Sequence, residues 1–176
     1  MHHSTFTLVL AETALGWAGV SLGPAGIRYA TLFHRAEATA RRELELAGAS
    51  DQADDRAAEI VARLLAYARG DAATLDDYPF DLPQGPPLHR KVWAALRAVP
   101  YGQTRSYGWL TKHVGEPPGA ARAVGAAVGA NPIPLWLPCH RIVASTGELH
   151  GFGGGLAMKR QILELEGALP KSLLPA

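Results

Sequence analysis

Residues 106–130 read Ser106-Tyr-Gly-Trp-Leu-Thr-Lys-His-Val-Gly-Glu-Pro-Pro-Gly-Ala-Ala-Arg-Ala-Val-Gly-Ala-Ala-Val-Gly-Ala130. Leu110 and Val114 fall four apart behind Ser106, a residue type whose hydroxyl caps helix N-termini, so a first short helix is expected over Tyr107 to Val114. Gly115-Glu-Pro-Pro-Gly119 then forces a turn, and a further helix is expected over Ala120 to Ala130. Two short helices about a tight Gly-containing turn form the helix-turn-helix pattern, although an α-hairpin in any helical core has the same periodicity. The later helix is unusual. Ala121, Val124 and Val128 supply one face, whereas Arg122, Gly125, Ala126 and Gly129 share the opposite one. Each interior glycine costs about 1 kcal/mol relative to alanine, so something offsets it. Close packing against another helix is one explanation and close approach to a nucleic-acid backbone is the other. Arg122, the only long side chain on that face, favours the second. No long polar side chain stands there to read base edges, so sequence-specific readout is not expected.

Working outward, Val92, Leu96 and Val99 at i, i+4 and i+7 predict a helix over Pro87 to Ala98, and Met158, Ile162 and Leu165 predict another over Leu156 to Glu166. Strand signal nearly vanishes in this half. Upstream the pattern changes: Thr5 to Leu10 alternates Phe6, Leu8 and Leu10 on one face, and Leu15 to Val20 and Ile27 to Phe33 are further strand-length apolar runs, a small antiparallel sheet. Helices follow within Ala36 to Ala47 and over Asp51 to Arg69, the latter opened by Ser50, Asp51, Asp54 and Asp55, closed by Gly70, and facing inward with Ile60, Val61, Leu64, Leu65 and Ala68. Four prolines and a glycine in Tyr78-Pro-Phe-Asp-Leu-Pro-Gln-Gly-Pro-Pro87 mark the boundary. The expected fold class is α/β (α+β), with domains over residues 1–85 and 86–176.

The charge balance changes sign at the same place. Residues 86–176 hold ten basic groups against four acids, a balance of +6, and residues 1–85 carry −5, although the whole chain sums to +1. With 48 % hydrophobic residues over 176 positions the chain has enough apolar material for a core, which excludes a disordered protein. The apolar stretch Phe6 to Ala11 ends at Glu12 with no preceding Lys or Arg, and later apolar runs are cut by Arg122 and by Pro132, Pro134 and Pro138. Neither a signal peptide nor a membrane span is expected.

Cys139 is the only cysteine, which excludes an intrachain disulfide framework, a CxxC redox pair and any zinc site needing several thiolates. A reducing, intracellular setting fits it. In Pro138-Cys-His-Arg141 it adjoins an imidazole and a guanidinium, a setting that lowers a thiol pKa, whereas a free cysteine is most often a small buried hydrophobe. On an extended strand Cys139 and His140 would point to opposite faces, so the imidazole reaches the sulfur only through a turn or a bridging water. Glu166 continues the apolar face of the last helix at i+8 from Met158, and a carboxylate there needs a partner, whereas Glu164 points away. The glycine run 151–155 lacks the GxxxxGK[ST] of a phosphate loop.

Five motifs in order, Tyr101-Gly-Gln-Thr-Arg-Ser-Tyr-Gly108, Ala120-Ala-Arg-Ala-Val-Gly125, Asn131-Pro132, Pro138-Cys-His-Arg-Ile142 and Gly154-Gly-Leu-Ala157 with Glu166-Gly167, closely resemble those of the O6-alkylguanine-DNA alkyltransferases. The resemblance covers roughly residues 86 to 167. It implies a ribonuclease-H-like small sheet with helices in the N-terminal domain and a helix-turn-helix, winged-helix-like C-terminal domain that binds the DNA minor groove. Carried over, it makes Cys139 the alkyl acceptor, His140 its water-mediated base and Glu166 the group that orients His140. Asn131 would shape the active-site turn, Tyr107 would protonate the departing guanine and help rotate its phosphate, and Arg122 would fill the stack vacated by a flipped nucleotide. Ala123, Gly125 and Ala126 would line the DNA. The Gly153 amide would face the alkylated oxygen beside Phe152, and the carbonyls of Cys139 and Ile142 would accept from the guanine amino group.

The resemblance further implies stoichiometric direct-reversal repair of O6-alkylguanine in double-stranded DNA by a cytoplasmic monomer, with no cofactor and no metal. Two rival readings remain beside it, a non-catalytic alkylated-DNA sensor and a helix-turn-helix DNA-binding regulator. The chain departs from the family at Gly129, where a basic residue is often found, and at Phe152, Gly153 and Trp136, which replace a common tyrosine, serine and smaller aliphatic residue.

Overall fold

The computed structural model describes residues 6–71 and 75–171. The chain folds as two compact units, Met1–Pro83 with Pro132–Trp136, and Gln84–Asn131 with Leu137–Ala176. The first break lies two residues from the boundary expected at 85/86. The return of residues 132–136 to the N-terminal unit has no signal in composition; there the Pro132 carbonyl accepts from Ala30 N at 3.0 Å.

In the first unit β1 (Phe6–Thr13), β2 (Gly16–Gly23) and β3 (Gly26–Ala30) pair antiparallel as expected; Thr5 of the expected first strand lies outside the described residues. A short β4 (Ala49–Ser50) adds itself parallel to β1, giving the order β3-β2-β1-β4. Two residues carry no alternation, so β4 has no signature in the sequence.

Two helices follow the same logic of apolar spacing. Helix α1 (Glu37–Leu46) buries Leu44 with Leu8 and Ala49. Helix α2 (Ala57–Ala68) buries Ile60, Leu64, Tyr67 and Ala68; Val61 and Leu65 are only half-buried, and Tyr67 takes the inward place that its polar tip concealed. This helix starts at Ala57, not Asp51, because the Asp54 carboxylate accepts from Arg56 N at 2.9 Å and from its guanidinium at 2.7 Å, closing a turn ahead of the helix. The proline-rich boundary is also more than a linker. Ile27 N donates to Pro79 O and Asp81 N to Ile27 O, and Gly26 is required beside them, since a Cβ on it would lie 2.2 Å from the Pro79 carbonyl oxygen.

The second unit is mostly helical: α3 (Pro87–Leu96), α4 (Tyr107–His113), α5 (Ala121–Gly129) and α6 (Gly155–Leu165). Pro87 begins α3, where its missing N–H costs nothing. The Ser106 hydroxyl caps α4 by accepting from Trp109 N at 3.0 Å, and a 3₁₀ turn over Pro118–Ala120 leads into α5. The Trp93 indole donates to the Ala127 carbonyl at 2.9 Å and fastens α3 to α5. A two-strand parallel ladder, β5 (Arg105–Ser106) against β6 (Ile142–Val143), brings the start of α4 beside the segment that follows Cys139.

Candidate active site

Cys139 opens a 3₁₀ turn, Cys139–Arg141, directly ahead of β6. The turn removes the opposite-face geometry of a strand, so the thiol and the following imidazole belong to one buried cluster, Cys139 at 8 % exposure and His140 at 0 %. Asn131 stands at the end of α5. Its amide donates to the Leu137 carbonyl at 2.7 Å and hydrogen-bonds the Cys139 sulfur, which ties the start of the turn to the helix.

His140 Nε2 lies 2.8 Å from Glu166 Oε1. Because Nε2 donates to the carboxylate, the neutral ring keeps its lone pair on Nδ1, which is buried without a hydrogen-bond partner among the described residues. Glu166 caps the C-terminus of α6 on its buried face, as its spacing predicts. The partner that the spacing did not identify is Arg141. Its Nε donates to Glu166 Oε2 at 2.8 Å and its Nη2 to Oε1 at 3.0 Å, and its Nη1 reaches the Val99 carbonyl at 2.8 Å. Gly102 closes the cluster with φ +73°, where a Cβ would meet the Glu166 carbonyl at 3.0 Å.

These contacts set the protonation states. Burial raises the Glu166 carboxyl, but the hydrogen bonds and charges of His140 and Arg141 outweigh it and hold the pKa at about 2. Burial lowers the His140 pKa against the pull of Glu166, so the imidazole is neutral and able to accept a proton. The expectation of a depressed thiol pKa is overturned: burial pushes the Cys139 thiol up, and it outweighs the Asn131 hydrogen bond and the Lys159 charge that act in the opposite direction. The resting group is a thiol, which becomes nucleophilic only when a base takes its proton. Tyr107 is also raised, by burial and then by the Cys139 charge, and so retains a phenolic proton to give.

Lys159 is absent from the expected site. It is fully buried on α6, and its ammonium donates to the Ile142 carbonyl at 2.7 Å and the His150 carbonyl at 2.8 Å. Burial lowers its pKa to about 8, while the Cys139 charge raises it. Its place at i−3 from Ile162 was the available signal, since it puts a lysine on the apolar face.

The small-residue face of α5 is not packed against another helix. Arg122, Ala123, Ala126 and Gly129 are exposed, a Cβ on Gly129 would meet nothing within 4 Å, and one on Gly125 would only touch the Tyr107 ring at 3.9 Å. Arg122 has no hydrogen bond or ion pair among the described residues. Of the two explanations for this face, helix packing is therefore removed. Phe152 is half-buried and Gly153 exposed, in the loop between His150 and α6.

Acid should unfold the protein through this cluster. Glu166 at about 2 lies below its unfolded value of about 4.3, so its stabilisation is complete above that value and is lost as pH falls toward 2. His140 acts in the same direction, because its folded pKa is lowered and the unfolded chain takes up the proton first, below about pH 6.5. Urea midpoints are expected to fall from pH 7 to pH 5 and again to pH 3; equal midpoints at all three would contradict the assignment.

Comparison with known proteins places these features in context. The model of the 6-O-methylguanine DNA methyltransferase DNA-binding domain matches residues 87–168. The methylated-DNA–protein-cysteine methyltransferase of Mycobacterium tuberculosis (strain ATCC 25618 / H37Rv) is 47 % identical over 116 residues, a stretch covering 66 % of each chain. A crystal structure of Mycobacterium tuberculosis O6-methylguanine methyltransferase superposes with a TM-score of 0.73 at 32 % identity, over 96 % of this chain and 98 % of that one. The crystal structure of Mycobacterium tuberculosis OGT in complex with DNA gives a TM-score of 0.75 at 34 % identity, over 92 % of this chain and 93 % of that one.

Proposed function

The chain belongs to the family of methylated-DNA–protein-cysteine methyltransferases, and from that premise we propose that it repairs O6-alkylguanine in double-stranded DNA by moving the alkyl group to Cys139 once per molecule. The observation that carries this reading is the buried turn in which His140, fixed by Glu166 at 2.8 Å, keeps an unpartnered Nδ1 one residue along the chain from the Asn131-held thiol.

The alkylated oxygen lies inside the duplex, so the nucleotide is extruded first. The exposed Gly and Ala face of α5 lets the backbone approach, and Arg122 fills the vacated stack. The thiol proton passes to His140 Nδ1 through one water. The thiolate attacks the alkyl carbon, a C–S bond forms and the C–O6 bond breaks, and Tyr107 gives its proton to the departing guanine. His140 then returns a proton to Tyr107 by way of solvent, so the sum is thiol plus alkylguanine to thioether plus guanine. That balance needs no oxidant, reductant or cofactor. Ile142, Phe152 and Gly153 line the substrate side, and a cytoplasmic monomer suits a reaction of one protein with one lesion. A damage sensor or a regulator would leave Cys139, His140 and Glu166 without a role.

The test on the DNA side is nucleoside analysis of a duplex containing one O6-methylguanine after mixing with the protein; guanine should replace the modified base mole for mole. Arg122→Ala separates flipping from chemistry. Extrusion costs a few kcal/mol that an inserted side chain offsets, so repair of duplex should slow by about 10- to 100-fold, while attack on free O6-benzylguanine should be unchanged. Equal slowing on both substrates would contradict the stacking role.

A further inference from the structure

Arg105, Trp109 and His113, spaced four residues apart, form a stack at the surface of α4. The Arg105 guanidinium carbon lies 5.7 Å from the Trp109 ring centroid, and the His113 ring is stacked on the indole at 4.6 Å with 16° between the planes. Nη1 of Arg105 donates to the Thr104 carbonyl at 2.8 Å and Nη2 to Gln103 Oε1 at 2.8 Å, which holds the guanidinium in place and leaves its other donors free. Trp109 is half-buried, whereas Lys112 and His113 are exposed. Among the described residues the indole N–H has no acceptor, and no carboxylate lies within ion-pair distance of Arg105, Lys112 or His113. Tyr107 stands two residues before Trp109, on the opposite side of the helix, with its ring beside Gly125 of α5. Helix stabilisation accounts for the Trp109–His113 pair, but it leaves a surface of donors and cations with nothing to receive them.

We propose that this stack is a second DNA-contact surface, separate from the α5 face and from the reacting site, which grips the phosphate backbone through Arg105, the Trp109 indole N–H and Lys112. The proposal rests on the reading of the chain as a protein that binds double-stranded DNA. Positive charge and N–H donors with no carboxylate among them are the complement of a phosphate. In helix-turn-helix proteins the first helix crosses the backbone while the second enters the groove, and α4 is the first helix here. Stacking on the indole fixes the guanidinium plane before DNA arrives, so little side-chain entropy remains to be lost on binding. The contact reads no sequence, because phosphates carry none. Its role is to set the position of the duplex, since Trp109 shares α4 with Tyr107.

Binding of an unmodified, fluorescein-labelled duplex should be followed by anisotropy between about 50 and 200 mM salt. Each phosphate neutralised contributes about 0.9 to the slope of log K against log salt. Arg105→Gln is expected to bind more weakly and to lower the slope by about that amount, so its affinity deficit should shrink about 3.5-fold across the range. Trp109→Ala leaves every charge in place but removes the platform. It should also lower affinity, and the double variant should lose little more than the weaker single one, because the two side chains act as a unit. Arg42→Gln removes an exposed charge from α1, outside residues 87–168, and should keep the wild-type slope.

A stack that only stabilises α4 would lower the urea midpoints of the variants and leave affinity and slope at wild-type values, and that result overturns the proposal. So does a slope change in Arg42→Gln equal to that in Arg105→Gln, which would make the effect one of net charge alone. Attack on free O6-benzylguanine should proceed at the wild-type rate in Arg105→Gln and Trp109→Ala; a matching loss there would place the stack in the reacting site and overturn the proposal as well. The titration involves no lesion, so failure of the repair reading would appear separately, as wild-type protein that binds duplex and leaves O6-methylguanine in it. Wild-type protein without affinity for duplex would overturn both.

Discussion

Cys139→Ala is expected to bind duplex DNA containing O6-methylguanine and to leave the lesion untouched, with repair falling below detection. No second thiol exists in the chain to take over the nucleophile's role, and neither a neutral imidazole nor a phenol of raised pKa matches a thiolate as a nucleophile. The substitution removes one sulfur atom from a nearly closed site, a change that costs about 1 kcal/mol of stability, so the fold and the exposed α5 face persist. Binding followed by gel shift and repair followed by nucleoside analysis separate the two effects. Residual conversion to guanine would place the acceptor elsewhere.

Glu166→Ala should produce the largest loss of stability. The carboxylate neutralises a guanidinium 2 % exposed and orients a fully buried imidazole, so its removal strands both groups in a low-dielectric interior. Breaking a buried pair on one side costs about 3–5 kcal/mol, and each kcal/mol lowers Tm by roughly 2–4 °C in a chain of this size. Glu166→Gln should cost less, because an amide oxygen still accepts one of the hydrogen bonds. The Glu59–Arg63 pair on α2 is the internal control: Glu59 is half-exposed, and Glu59→Ala should change stability by no more than about 1 kcal/mol. Urea denaturation of the three variants decides the matter, and a Glu166→Ala effect as small as that of Glu59→Ala would remove Glu166 from the centre of the unit.

The elements that were legible in the sequence are those with a long apolar period. Helices α3 and α5 follow their valine and leucine spacings and α4 begins where the Ser106 cap places it, whereas α6 forms where expected but buries Lys159, Ile162 and Leu163, leaving Met158 and Leu165 only half-buried. Glu166 was legible for the same reason, as a charge out of place on an apolar face. What lay hidden depends on contacts far apart in the chain. The two-residue strands β4, β5 and β6 are too short to show a period, and β5 joins β6 across 37 positions of sequence. The return of residues 132–136 to the first unit includes Leu135 at φ +74°, a backbone state that a leucine adopts only under tertiary constraint.

Chemistry was hidden more deeply than shape. The neighbours of Cys139 in sequence are basic and argue for a depressed thiol pKa, yet Arg141 spends its charge on Glu166 and His140 is neutral, so burial decides the outcome. Lys159 looked like one of ten basic residues in a positively charged half. Only the fold shows that it points inward.

The central claim is that one alkyl group moves to one sulfur. Intact-mass spectrometry of the wild-type protein after incubation with excess O6-methylguanine duplex tests it most directly, with peptide mapping to locate the change. The mass should rise by a single methyl group, on the peptide containing Cys139, and remain there through a second addition of substrate. An unchanged mass with repaired DNA, a methyl group on another residue, or continued turnover after the first equivalent would contradict the account.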